Sequence, residues 1–293
     1  MSRPTVLATV CSDSFEPGFI VAFNSLLEHN PWFDLEVRVL WHPALSPLSH
    51  DAQERMSRVY DRLTFIEADL DQQRDIRERM ISEFRTQSRL FPAFLVLEAF
   101  RFTDADRVVA LDLDVLVIGD VRELFDCGDQ FAAVEAEHAI GGKRGFFNSG
   151  VFVAGAQHLT GDTYSDLVCL PVENMKNGWA DQAILNSYLP ERGMGWLPNR
   201  FNSLRSLHPD HLGDIDMVLG KRDIRILHFA GLKPWNAKEP QHPHANGFDG
   251  ADRLWSDAFC RYACDGDMER MLTGREQRLR QWAEKQESPS FGQ

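Results

Sequence analysis

Two aspartates with one residue between them, Asp112 and Asp114, interrupt an otherwise apolar run from Val108 to Ile118. In an extended segment, side chains two residues apart point to the same side of the chain, so both carboxylates can share one cation. Hard oxygen ligands suit Mg²⁺ or Mn²⁺, and a cation held in this way can neutralise the charge of a departing diphosphate. The alternative interpretation is a surface or helix-capping role for these carboxylates.

A histidine, a glycine and a lysine lie at the end of another strand-like segment, Ile224 to Phe229, or just after it. The neutral imidazole of His228 would add a nitrogen ligand to the two carboxylates, which favours Mn²⁺ over Mg²⁺. Gly231 allows the backbone to approach a ligand closely, and Lys233 can donate to a phosphate. A core histidine followed by an ordinary turn would give the same pattern.

Two further sets of polar residues could recognise a sugar. Asp181 and Gln182 begin a helix-like segment, and Asn148 begins a strand-like one in the sequence Phe-Asn-Ser-Gly. Carboxylate and amide groups supply both the acceptors and the donors that sugar hydroxyls need. Alternatively, Asp181 only stabilises the first turn of its helix, and Asn148 only belongs to a turn before its strand.

The elements that must position these residues alternate between strands and helices, which is typical of βαβ units in a largely parallel sheet. Short apolar runs predict strands at 5–10, 35–41, 63–68, 107–118, 130–135, 146–153 and 224–229. Apolar residues at helical spacing predict helices at 18–29, 49–61, 75–102, 163–175, 181–189 and 251–285. We therefore expect an α/β domain over residues 1–250 and a helical C-terminal extension over residues 251–293.

Composition limits the classes of function. The chain has 293 residues, 43% of them hydrophobic, which is enough for one large core. The net charge of −13 argues against general nucleic-acid binding, which needs a basic surface. The five cysteines include no CxxC pair, which fits a reducing, cytoplasmic setting. We expect neither a signal peptide nor a membrane-spanning helix.

Four motifs that occur in one order along the chain together resemble glycosyltransferase family 8. They are Leu111-Asp-Leu-Asp-Val115, Phe147-Asn-Ser-Gly150, Asp181-Gln182 with Asn186, and His228-Phe-Ala-Gly231 with Lys233-Pro-Trp235. The resemblance covers residues 5–236, about four fifths of the chain. The joint occurrence is far more specific than any single motif.

The resemblance implies a GT-A fold, with a Rossmann-like, mostly parallel central sheet flanked by helices. It also implies a Mn²⁺-dependent, retaining transfer of a hexose from UDP-glucose or UDP-galactose to an acceptor hydroxyl. The motif match assigns the metal to Asp112, Asp114 and His228, and the diphosphate to Gly231 and Lys233. It assigns the donor sugar to Asn148, Asp181 and Gln182, of which the last two are the candidate catalytic residues. The family's nucleotide-binding opening matches Thr9, Asp13 and Phe15, with Phe15 as a stacking surface for uracil.

The sequence departs from the family pattern in two places. The family often has a basic residue in the helix before the Asp-x-Asp strand, whereas residues 91–97 are apolar. A donor-binding cation is therefore either missing or supplied from elsewhere, with Arg85 and Arg89 as the candidates. One residue separates Gly231 from Lys233, where well-known members of the family have two. This shortening would shift the lysine relative to the phosphates.

Two other functions remain open from sequence. A nucleotide-sugar hydrolase would use the same cation site but deliver water, and a non-catalytic nucleotide-sugar or carbohydrate-binding protein would bind the donor without cleaving it. The acceptor is unknown and could be a glycan, a lipid-linked sugar, a small molecule or a protein. The charged segment from Met268 to Lys285 is expected to pack on the domain, with peripheral membrane contact as the alternative.

Overall fold

The computed structural model describes residues 3–128, 130–136, 145–175, 177–205, 223–236, 249–264 and 266–271. Its strands are β1 (Thr5–Val10), β2 (Val37–Trp41), β3 (Leu63–Glu67), β4 (Arg107–Leu111), β5 (Val115–Val117), β6 (Phe131–Glu135), β7 (Phe147–Gly155), β8 (Met194–Leu197), β9 (Ser203–Leu204) and β10 (Ile226–His228). Its α-helices are α1 (Glu16–His29), α2 (His50–Val59), α3 (Leu70–Phe84), α4 (Arg122–Asp126), α5 (Gly161–Val168), α6 (Ala180–Tyr188) and α7 (Asp249–Tyr262).

The central sheet has seven strands in the order β3-β2-β1-β4-β7-β6-β8. Strands β1 to β4 run parallel to one another, and β7 lies antiparallel to both β4 and β6. One hydrophobic cluster joins the sheet to α1 through Phe19 and Phe23, and a second joins it to α5 and α6 through Leu167 and Ile184. The prediction of a mostly parallel sheet flanked by helices is confirmed.

The prediction of one continuous strand over residues 107–118 is wrong. Strand β4 ends at Leu111, and the chain turns through Asp112 and Asp114 before β5 enters a second sheet, in the order β5-β10-β9. Two backbone hydrogen bonds hold this turn: Asp112 N–H donates to the Gly150 carbonyl (2.8 Å), and Phe229 N–H donates to the Asp114 carbonyl (2.7 Å). The aspartates therefore lie at the carboxyl edge of β4, between two sheets.

Two expected helices are shorter than the sequence indicated. The segment expected at 75–102 is α3 followed by a run of 3-10 turns, Ser88–Arg101, because Arg85 adopts a left-handed backbone (φ 54°) and Pro92 cannot donate to a helical ladder. The segment expected at 163–175 begins at Gly161 and ends at Val168, shortly before Pro171. Strands β8 and β9 were not predicted.

The described part of the C-terminal segment packs on the domain. Trp255 and Phe259 of α7 are buried in a cluster with Ile20 of α1, Leu227 of β10 and Trp235. Residues 272–293, which include most of the predicted charged segment, lie outside the described residues. Among the described residues, no helix is both long and apolar enough to cross a membrane.

Candidate active site

Three candidate metal ligands meet where the two sheets adjoin. Asp112 and Asp114 lie in the turn after β4, and His228 is the last residue of β10. One ligand atom from each residue lies within 4.8 Å of the other two. His228 Nε2 is 3.3 Å from Asp114 Oδ1 and 3.8 Å from Asp112 Oδ2. The predicted grouping of these residues is thus present.

The two carboxylates of this cluster differ in how strongly nearby positive charge stabilises their ionised forms. Burial raises the pKa of Asp114, but the nearby Lys233 and His228 outweigh burial and hold that pKa well below its usual range. Lys233 Nζ forms an ion pair with Asp114. Desolvation raises the pKa of Asp112, and so does the like charge of Asp114, although the Asp112 side chain is half exposed. An added cation would relieve the repulsion between the two carboxylates.

The donor set fits a divalent cation that accepts both oxygen and nitrogen. Two carboxylates and one imidazole suit Mn²⁺ better than Mg²⁺, which prefers oxygen alone. Gly150 of β7 forms the wall behind the ligands. A Cβ at Gly150 would lie 2.3 Å from His228 Cε1 and 2.9 Å from Asp112 Oδ2. Only glycine therefore leaves both ligands in their places.

The predicted sugar-binding residues also meet in one region. Asn148 Nδ2 donates to Gln182 Oε1 (2.9 Å), and Ser149 N–H donates to the same oxygen (3.3 Å). Asn186, one turn further along α6, fastens the helix to β7, because its side chain accepts from Phe147 N–H and donates to the Phe147 carbonyl. These bonds join the start of β7 to the start of α6.

Asp181 is a buried carboxyl beside this region, 6% exposed. Burial, with a smaller contribution from the charge of Asp112, raises its pKa to about 7 against the lowering effect of a hydrogen bond with the Ser149 side chain. The preceding residue, Ala180, has a left-handed backbone (φ 47°). Such a conformation is strained for a residue with a Cβ, and strained backbones cluster at functional sites.

The predicted nucleotide-binding residues lie along the start of the chain. Thr9 donates its hydroxyl to the Leu111 carbonyl (2.7 Å), and Asp13 accepts from the backbone and hydroxyl of Ser49 at the start of α2. The Phe15 ring packs edge-on against Trp235, with centroids 5.4 Å apart, and lies 5.8 Å from Lys233 Nζ. Phe15 therefore lies beside the lysine that pairs with Asp114.

Gly231, where the sequence predicted only a close approach of the backbone to a ligand, has a left-handed backbone. Its φ of +90° is one that side-chain-bearing residues rarely adopt, so glycine is required for the turn between His228 and Lys233. No hydrogen bond or ion pair joins Arg85 or Arg89 to another described residue of the site, and both are exposed. The place of a second donor-binding cation stays a prediction.

The structure reveals two polar residues near the cluster that sequence reasoning missed. Asn202 is 4% exposed, and its Oδ1 lies 2.7 Å from His228 Nδ1. Arg205 is 2% exposed, pairs with Asp252 of α7, and donates to the Leu232 carbonyl. Neither belongs to a motif, and their proximity to the site depends on the second sheet, which the sequence did not predict.

Comparison of the amino-acid sequence with known protein families identifies one family. Residues 6–239 match the description Glycosyl transferase family 8. This chain belongs to glycosyl transferase family 8. The resemblance inferred from its four motifs is thereby confirmed.

Relatives within the family are distant in sequence. The family 8 chain is 26% identical over 168 residues to the glycosyltransferase GlyF of Streptococcus pneumoniae serotype 4, covering 55% of this chain and 42% of GlyF. It is 25% identical over 279 residues to mouse glycogenin-1, covering 88% of this chain and 76% of glycogenin-1. The chain thus spans less than half of the length of GlyF.

The solved structures agree on the fold. An active-site mutant of LgtC superposes with a TM-score of 0.65 at 18% identity, covering 88% of this chain and 96% of that chain. The galactosyltransferase LgtC in complex with donor and acceptor sugar analogs gives a TM-score of 0.59 at 17% identity, with 90% and 99% coverage. The family 8 chain therefore has the GT-A fold that was expected.

Proposed function

We propose that this glycosyltransferase transfers a hexose from a UDP-sugar, UDP-glucose or UDP-galactose, to an acceptor hydroxyl with retention of configuration and with Mn²⁺ bound. The observation that carries the proposal is the convergence of Asp112, Asp114 and His228 from two sheets, with Lys233 paired to Asp114. When bound, Mn²⁺ would supply the positive charge that makes UDP a good leaving group. The ligand set of two carboxylates and an imidazole supports this choice of metal.

Each part of the donor has a matching group of residues. Lys233 can donate to the diphosphate as a point charge, and the left-handed turn at Gly231 lets the backbone approach it. Phe15 offers a ring face near Lys233 for the base, and Thr9 and Asp13 would complete the nucleotide site. Asn148, Asp181 and Gln182 would bind the hexose hydroxyls, because together they offer acceptors and donors.

The chemical step would depend on positioning and electrostatics. The acceptor oxygen bonds to the anomeric carbon on the face from which UDP departs, as the bond from that carbon to the phosphate oxygen breaks. A phosphate oxygen of UDP takes the acceptor's proton. Asp181 would stabilise the positive charge on the sugar ring, and Gln182 would hold a hexose hydroxyl beside it. The buried environment of Asp181 strengthens such an interaction once its carboxyl is ionised.

The setting of the protein is also a proposal. All five cysteines are free thiols, which supports a reducing cytoplasmic compartment. Peripheral contact with a membrane through the segment 268–285 is the alternative to packing of that segment on the domain. The acceptor is a glycan, a lipid-linked sugar, a small molecule or a protein.

A donor panel tests this function. Purified protein is incubated with Mn²⁺ and single UDP-sugars, with and without a mixture of candidate acceptors, and UDP release is measured. We expect one preferred donor, slow release that acceptors accelerate, and loss of release in Asp114→Asn. The matched control is Asp61→Asn, which changes an exposed aspartate after α2. Release that no acceptor accelerates would identify a nucleotide-sugar hydrolase, and release unaffected by Asp114→Asn would refute the cation site.

A further inference from the structure

A chain of side-chain hydrogen bonds runs from the cation cluster to the proposed hexose pocket. His228 Nδ1 lies 2.7 Å from Asn202 Oδ1, and Asn202 Nδ2 lies 2.9 Å from Asn148 Oδ1. Asn148 Nδ2 lies 2.9 Å from Gln182 Oε1. Three of the four residues, His228, Asn202 and Gln182, are less than one tenth exposed. We call these four residues the amide chain.

Two backbone N–H groups fix the direction of every bond in the amide chain. Gly150 N–H donates to Asn148 Oδ1 (3.0 Å), and Ser149 N–H donates to Gln182 Oε1 (3.3 Å). A backbone N–H can only donate, so both side-chain atoms that it meets must be oxygens. Rotating the Asn148 amide by a half turn would place its NH₂ group against Gly150 N–H and lose a hydrogen bond.

The orientation of the Asn148 amide determines which atoms donate and which accept between Asn202 and His228. Asn148 Oδ1 is an acceptor, so Asn202 must present its NH₂ group to Asn148 and its oxygen to His228. His228 therefore carries a proton on Nδ1 and donates it to Asn202. Its Nε2, the atom nearest Asp114, is then the nitrogen available to a cation.

The orientation of the Asn148 amide also determines which atom of Gln182 faces a substrate. Gln182 Oε1 already accepts from Asn148 and from Ser149. No hydrogen bond joins Gln182 Nε2 to another residue in the described ranges. The amide chain thus presents Gln182 to a substrate as a hydrogen-bond donor, and its oxygen is withheld from the reacting carbon.

We propose that Asn202 is a positioning residue that couples the cation site to the hexose pocket, holding His228 with its oxygen and Asn148 with its NH₂ group. This inference rests on the proposed function. A partner that accepts from the second nitrogen of a ligating histidine fixes the ring's orientation, and removing such a partner typically weakens metal binding about 10- to 100-fold. Asn202 contacts both His228 and Asn148 in the amide chain, so a substitution that changes only one of these two contacts can separate its two roles.

Two substitutions by residues of similar size separate the role of Asn202 toward His228 from its role toward Asn148. Asn202→Leu removes both the acceptor for His228 and the donor to Asn148. Asn202→Asp keeps an acceptor for His228 but places a carboxylate oxygen against Asn148 Oδ1, which Gly150 N–H prevents from turning away. Mn²⁺ affinity is measured by calorimetry without donor. The affinities of UDP and of the preferred UDP-sugar are then measured at saturating Mn²⁺, and their ratio reports the sugar's own contribution.

For Asn202→Leu we expect Mn²⁺ affinity to fall about 10- to 100-fold, with a reduced UDP-sugar to UDP ratio. For Asn202→Asp we expect Mn²⁺ affinity equal to or tighter than that of the native protein, with the same reduced ratio. Thermal unfolding checks that both variants fold. If Asn202→Leu does not fold, Asn202→Asp decides: weaker Mn²⁺ binding or an unchanged ratio would overturn the coupling.

Failure of this inference differs from failure of the proposed function. If the native protein binds neither Mn²⁺ nor any UDP-sugar, the proposed function fails and the amide chain loses its role. If the native protein binds both and Asn202→Leu binds them equally well, the donor site stands and Asn202 has no positioning role.

Discussion

Gly150 lies directly behind the cation cluster, and replacing it by alanine tests whether the cluster depends on the close packing of β7 against His228. The added Cβ would lie 2.3 Å from His228 Cε1 and 2.9 Å from Asp112 Oδ2. Ordinary van der Waals contact begins near 3.4 Å, so the imidazole must move by about 1 Å. His228 is 2% exposed, so it has little free space in which to move.

A displacement of this size is large for a ligand site. Functional groups must be held within about 0.5 Å of their productive positions, and a shift of about 1 Å can cost about 100-fold in rate. We expect Gly150→Ala to weaken Mn²⁺ binding at least 10-fold, as measured by calorimetry without donor, and to reduce UDP release from the preferred UDP-sugar about 100-fold.

The matched control is Gly195→Ala in β8. A Cβ there would lie 3.6 Å from Ala132 Cβ, which is ordinary contact, so the same change in a strand of the same sheet leaves the site intact. Thermal unfolding establishes that both variants are folded. If folded Gly150→Ala binds Mn²⁺ as tightly as Gly195→Ala does, His228 is not a ligand in the arrangement described.

Three further predictions follow from charges and backbone strain. Lys233→Met removes the cation paired with Asp114, so we expect Mn²⁺ without donor to bind at least as tightly and UDP with Mn²⁺ to bind about 10-fold more weakly, both by calorimetry. Burial raises the pKa of Asp181 from 3.8 to about 7, so the folded protein binds this proton more tightly than the unfolded chain does. Stability therefore falls as pH rises from about 4 to about 7, and Asp181→Asn should be more stable than the native protein at pH 8 by up to about 4 kcal/mol, and by progressively less toward pH 5, in urea unfolding with EDTA. Ala180→Gly relieves the left-handed backbone, worth about 1–2 kcal/mol, but adds flexibility to the unfolded chain, so we expect a net gain in unfolding free energy of about 0.5–1 kcal/mol.

Each of these predictions has a contradicting result. Weaker Mn²⁺ binding in Lys233→Met would mean that the lysine supports the cation rather than competing with it. A stability difference between Asp181→Asn and the native protein that is constant from pH 5 to pH 8 would show that Asp181 titrates normally. A loss of stability in Ala180→Gly would show that the left-handed conformation carries no strain.

The sequence was most informative where one physical rule decides the structure. Alternating apolar strands and helices predicted the parallel strands β1 to β4, because only buried strands tolerate such continuous apolar runs. The grouping of Asp112, Asp114 and His228 could be predicted because isolated buried carboxylates are unfavourable and need partners.

Features that depend on contacts distant in sequence could not be predicted. The break between β4 and β5 depends on pairing with β10, more than 100 residues later, and the apolar sequence alone favoured one strand. Asn202 lies in a short segment without motif or periodicity, and its role follows from a hydrogen bond across that second sheet. The importance of Gly150 likewise appears only when its distance to His228 is known.

The central claim is that Asp112, Asp114 and His228 hold the cation that binds the donor's diphosphate, and calorimetry of UDP with and without Mn²⁺ tests it most directly. We predict that UDP binds the native protein in Mn²⁺, that EDTA abolishes this binding, and that Asp114→Asn lacks it while Asp61→Asn retains it. Equal binding of UDP in Mn²⁺ and in EDTA, or full Mn²⁺-dependent binding by Asp114→Asn, would contradict the claim.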